Sequence, residues 1–147
     1  MSVSYTDTKL INFFRRISVP FARFALFVIF FWFGALKVVG LSPASALVQN
    51  LFEHTVPLMS FSAFLVLFGL FECLIGILFV IPALTRAALV LLAVHMVTTF
   101  MPLFILLEAT WGGFLVPTME GQYIIKNLLI IAAAITVGSN LQFLKKN

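Results

Sequence analysis

The chain has 147 residues, of which 63% are hydrophobic and 10% charged, too few polar side chains to coat a water-soluble fold of this size. Its net charge of +4 is carried by basic residues that flank apolar runs, which points to anionic lipid and excludes nucleic acid as the natural partner. A single cysteine, Cys73, excludes an internal disulfide and reads as a small packing residue within an apolar run.

At the start of the chain Leu10, Phe13, Phe14 and Ile17 recur at helical spacing between Lys9, Arg15 and Arg16. This predicts a helix over residues 1–18 lying in the inner headgroup region. A first span follows over 21–39, too long for the core of a secretory signal, so the string Ala44, Ser45, Ala46 is not expected to be a cleavage site. Ser42 and Pro43 make a favourable helix start, and Leu47, Val48, Leu51 and Phe52 form a stripe, predicting an outer surface helix over 42–54. The second and third spans, 61–81 and 83–107, are separated by a turn at Pro82 and Arg86 too short for anything but antiparallel neighbours. A loop with Trp111, Gly112, Gly113, Phe114 and Pro117 combines turn formers with aromatics suited to an interfacial anchor, or to a lid. The fourth span is expected over 122–138.

Each apolar run is near the ~20 residues that cross a bilayer core, and none alternates with a period of two, which excludes a barrel. The expected fold is therefore all-α: a single polytopic membrane domain, 1–147, built as a four-helix bundle. Lys9, Arg15, Arg16, Arg23, Arg86, Lys145 and Lys146 share one side. The two opposite loops hold Glu53, Glu108 and Glu120 and no Lys or Arg. The positive-inside rule then places both termini in the cytoplasm, an N-in/C-in protein of the inner membrane.

Beyond the basic residues at their cytoplasmic ends, the spans carry one ionisable residue each, Lys37, Glu72, His95 and Lys126. A charge at mid-membrane costs about 2.5–3.5 kcal/mol on insertion scales, so these residues are expected to face the interior and find partners. Glu72 shares a helix face with Gly69 and Gly76. His95 shares one with Thr98, Thr99 and Pro102, and Lys126 lies one turn from Gln122. Helical rise puts Glu72 and His95 near the midplane and both lysines toward the outer side, so the four predict one polar cluster opening outward. Bland alternatives stand beside it: Lys37 or Lys126 snorkelling to headgroups, His95 as a hydrogen-bonded core residue, Glu72 in a structural ion pair. No metal-ligand spacing, phosphate-binding glycine loop or nucleophilic triad is present.

The strings FWFGALK, FECLIG, TTFMP and PTMEGQYIIKNL together resemble the DoxX-like superfamily of small four-helix membrane proteins. The closer likeness is to the branch that includes the bacterial inner-membrane reactive-chlorine resistance protein, carried by Trp32, Gly34, Lys37, Glu72, Gly76 and Lys126, although the loop between the first two spans is shorter here. The resemblance implies a redox or oxidative-stress setting, with quinone as a possible cofactor. The expectation is a redox-associated membrane subunit in which Glu72 and His95 transfer protons, while Lys37, Lys126, Thr98, Thr99, Gln122 and Trp32 attract a quinone or small anionic ligand. A homo-oligomer or a redox partner subunit would accompany it. Rival expectations are a small-solute carrier or channel and a noncatalytic partner protein, and the sequence does not decide whether the chain is an enzyme.

Overall fold

A computed structural model describes residues 5–55 and 59–141. Its elements run in chain order as α1 (Tyr5–Val38), α2 (Ser45–Thr55), α3 (Phe61–Val80), a 3-10 turn (Pro82–Leu84), α4 (Thr85–Phe100), α5 (Pro102–Ile105), α6 (Leu107–Thr110), β1 (Trp111–Gly113), β2 (Val116–Pro117), α7 (Met119–Lys126) and α8 (Leu128–Gly138). Four stretches are long and apolar enough to cross a membrane: Asp7–Val38, Phe61–Val80, Pro82–Ile105 and Met119–Gly138. The chain is a multi-pass helical membrane protein, with lipid as the solvent of its apolar outer faces. Val97, Leu129 and Ile135 are each about two-thirds exposed or more, on helices that would be insoluble in water.

The helices form a ring in which α1 packs on α3 and α8, α3 on α4, and α4 on α8. Neighbours are antiparallel, since Lys37 near the end of α1 meets Glu72 in α3, and Arg23 midway along α1 meets the end of α3. The core is a stack of Leu26, Phe30, Ile75, Phe79, Leu92 and Val137, contributed by all four spans. The α1–α3 seam is a close contact because glycines leave backbone against backbone. A Cβ built on Gly34 would sit 2.6 Å from Gly69 O, and one on Gly76 would sit 2.9 Å from Phe31 N.

Several boundaries differ from expectation. The interfacial helix foreseen over 1–18 is, from Tyr5 onward, continuous with the first span, and α1 runs through Pro20 without a break. Proline there costs one backbone bond, and the remaining ladder carries the helix through. The surface helix begins at Ser45 instead of 42. The Ser42 side chain accepts from Ala44 N and so builds a turn ahead of the helix. The third span breaks at Met101–Pro102, because Pro102 has no N–H to give to Thr98. The fourth span starts at Met119, where Thr118 caps it by accepting from Gly121 N at 3.2 Å.

The second loop is more ordered than an aromatic anchor. Trp111 Nε1 donates to Leu103 O at 3.0 Å, fully buried Thr110 donates to Leu106 O at 2.9 Å, and Thr118 Oγ1 donates to Ala109 O at 2.7 Å. These bonds tie the short hairpin onto α5 and α6, at the end of the bundle where Lys37 lies.

Candidate functional site

Three of the four intramembrane ionisable residues meet. On α1 the buried stripe is Ala22, Leu26, Phe30, Gly34 and Lys37, so the lysine ends a face turned wholly inward. On α3 Gly69, Glu72 and Gly76 share the face that abuts it. The absence of a side chain at Gly69 makes room for the lysine, because a Cβ there would fall 2.9 Å from Lys37 Cβ. Lys37 Nζ thus donates to Glu72 Oε2 at 2.6 Å, and both residues are 6% exposed. The snorkelling alternative for Lys37 does not describe this geometry, and Glu72 has the partner that burial of its charge demands. The pair cancels its own charge, which lowers the cost of keeping either ion out of water.

His95 enters from α4, 4% exposed, with Nε2 3.5 Å from the other carboxylate oxygen, Glu72 Oε1. Glu72 therefore stands between an ammonium and an imidazole, one oxygen toward each. The imidazole is enclosed by rings: Phe30 edge-on at 5.3 Å, Phe68 stacked at 5.2 Å and Phe71 tilted at 6.1 Å. Lys37 Nζ also lies 5.5 Å from the centre of the Phe68 ring. Among the described residues His95 Nδ1 is the buried side-chain polar atom with no hydrogen-bond partner.

The expected cluster is smaller than four spans. Lys126 is exposed, with Nζ 5.4 Å from the ring of Tyr123 on its own helix, and Gln122 and Trp32 are exposed as well. The reason is helical phase: Gln122, Tyr123 and Lys126 share a stripe of α7 opposite the buried Gly121 and Ile124. Thr98 and Thr99 are half-buried, but their hydroxyls donate to His95 O at 2.8 and 3.0 Å, so they bond the helix and not a common site. Among the described residues no group of three or more His, Cys, Asp and Glu is placed to hold a metal ion.

Two sets of residues escaped the sequence reading. The ring cage of Phe30, Phe68 and Phe71 could have been found from spacing, since Phe68 lies four residues before Glu72 and Phe30 seven before Lys37. Arg23, read only as a flanking charge, donates to Phe79 O at 3.0 Å and to Thr85 Oγ1 at 2.7 Å. It thereby caps the carbonyl end of α3 and fixes the turn to α4.

No family model, no curated protein and no solved structure matches this chain. The site is accordingly interpreted from its own geometry.

Proposed function

We propose that the chain is a DoxX-like protein of the inner membrane, N-in/C-in, serving as a redox-associated, quinone-linked subunit whose Glu72 and His95 hold and move a proton. The observation that carries this reading is the bridging carboxylate, held by Lys37 on one oxygen and facing His95 Nε2 on the other. Lys37 fixes the carboxylate's position, and the 3.5 Å gap to the imidazole is one a small helix movement closes to proton-transfer distance. The orientation is supported by Arg23 and Arg86 sharing the end of the bundle opposite Glu53, Glu108 and Glu120. A quinone headgroup suits the polarity of the place, because His95 Nδ1 is unpartnered among aromatic rings. Such a group, when bound, supplies two-electron, two-proton chemistry; the residues here offer a hydrogen-bonding nitrogen and a carboxylate relay.

The test is to purify the protein with its lipids and measure extracted quinone and proton uptake on reduction, in wild type, Glu72→Gln and His95→Phe. Stoichiometric quinone in wild type, with proton uptake lost in both variants, is the expected result. If Glu72→Gln lowers only the unfolding temperature, and quinone content and proton uptake persist, the trio is a structural ion pair.

A further inference from the structure

His95 lacks the support that usually aims a relay imidazole. In such sites the ring nitrogen remote from the reacting partner is held by a hydrogen bond, which fixes the tautomer and the ring plane. Here Nε2 faces Glu72 Oε1 at 3.5 Å, while buried Nδ1 has no partner among the described residues. Of the three rings around the imidazole, Phe68 is set apart in two ways. It lies closest to parallel with the imidazole, at 29° against 79° for Phe30 and 48° for Phe71. It also lies beside Lys37, whose Nζ is 5.5 Å from its centre. Phe68 stands about one turn before Glu72, so a single face of α3 supplies both the carboxylate and a ring that lies against each of the carboxylate's neighbours. The ring is itself backed by Phe64, stacked on it at 5.7 Å and 11°.

The face of a phenyl ring is electron-rich, and it attracts a cation lying within about 6 Å of its centre. Lys37 is one such cation, and His95 becomes another whenever it takes a proton from Glu72. We propose that Phe68 is the positioning residue of the trio: its ring fixes the imidazole plane and stabilises positive charge on His95, in place of a hydrogen bond to Nδ1. The proposal rests on the reading that Glu72 and His95 move a proton. The titratable groups around the imidazole are Glu72 on α3 and, beyond it, Lys37 on α1. Cys73, next to Glu72, turns its sulfur to Phe31 O, and Lys126 on α7 lies outward over Tyr123.

The test replaces Phe68 alone with phenylalanines of increasing ring fluorination, up to the fully fluorinated ring, which keep the ring's shape while draining and finally reversing the charge of its face. In a His54→Asn background His95 is the only histidine, and its ring nitrogens can be followed by nitrogen NMR across a pH series on the full chain in micelles. The proton concentration that half-protonates His95 is expected to rise with each step, about fivefold at full fluorination, while the unfolding temperature holds. The same replacements at Phe71 should move it by less than about twofold. Phe68→Leu removes the ring altogether; it should match the change at full fluorination and also broaden both nitrogen signals, because no ring face then holds the imidazole plane. A midpoint indifferent to fluorine at Phe68, or equally sensitive to fluorine at Phe71, would overturn the inference. A midpoint that moves, in a protein whose proton uptake survives Glu72→Gln, supports it and overturns only the relay reading.

Discussion

At the scale of single residues, the energetics turn on Glu72 having two neighbours. Glu72→Ala leaves Lys37 buried beside Phe68 with no counter-ion, and the expected loss is about 3–5 kcal/mol of unfolding free energy. The double replacement Lys37→Met with Glu72→Leu removes both charges and should recover most of that loss. Equilibrium unfolding in mixed micelles of the two single variants and the double one gives the coupling directly, and a purely additive result would show that the pair is not a unit. Lys126→Gln is expected to stay within about 0.5 kcal/mol of wild type in the same assay, since its side chain is exposed and lies over Tyr123 of its own helix. The contrast between Lys37 and Lys126 marks how far the site was legible. One ionisable residue per span singled out Lys37, Glu72 and His95, because burying charge in lipid is costly at any rotation of the helix. Composition does not report that rotation, and it is rotation that turns Lys126 outward. Phe30, Phe68 and Phe71 were hidden for another reason: in a chain with 18 phenylalanines, those that line a site look like those that face lipid.

At the scale of elements, the α1–α3 seam depends on glycine. Gly69→Ala would push a methyl group toward Gly34 O and Lys37 Cβ, so the helices must separate and the lysine must shift. A loss of about 1–3 kcal/mol is expected from overpacking, together with a weakened Lys37–Glu72 contact. Gly113→Ala, in the hairpin, has open space around it and should change little. Comparing unfolding midpoints of these two variants separates close packing from a general intolerance of glycine replacement. The spans themselves were readable from hydropathy, while their ends were not, because local polar contacts set them: Thr118 starts α7 early, Ser42 delays α2, and Pro102 divides the third span. An aromatic column was also out of reach of pattern reading. Phe52 on α2 lies 4.7 Å from Phe64, which stacks at 5.7 Å on Phe68, and Phe68 stacks on His95. Phe52→Ala is therefore expected to loosen α2 and to reach the imidazole's surroundings, readable as a changed His95 ring resonance.

At the scale of the whole molecule, the positive-inside reading has a direct check. In a Cys73→Ala background, a cysteine at Gln49 should react with an impermeant thiol reagent in intact cells, and one at Arg86 should react only after the membrane is opened. The reverse pattern would invert the protein. The 34 residues of α1 measure about 51 Å against a hydrocarbon core of about 30 Å, so its first turns, exposed on every side from Asp7 to Ser18, extend past the bundle. The bundle is also mechanically uneven. Where α1 and α3 meet at Gly34, Gly69 and Gly76 backbone lies close against backbone, so the two helices act as one strut that holds Lys37 beside Glu72. His95 rides on α4, which is interrupted about two turns beyond it at Met101–Pro102. The trio is thus a caliper with one rigid jaw and one compliant jaw. The distance between imidazole and carboxylate therefore follows the tilt of α4, a coordinate that involves no charged group outside the trio.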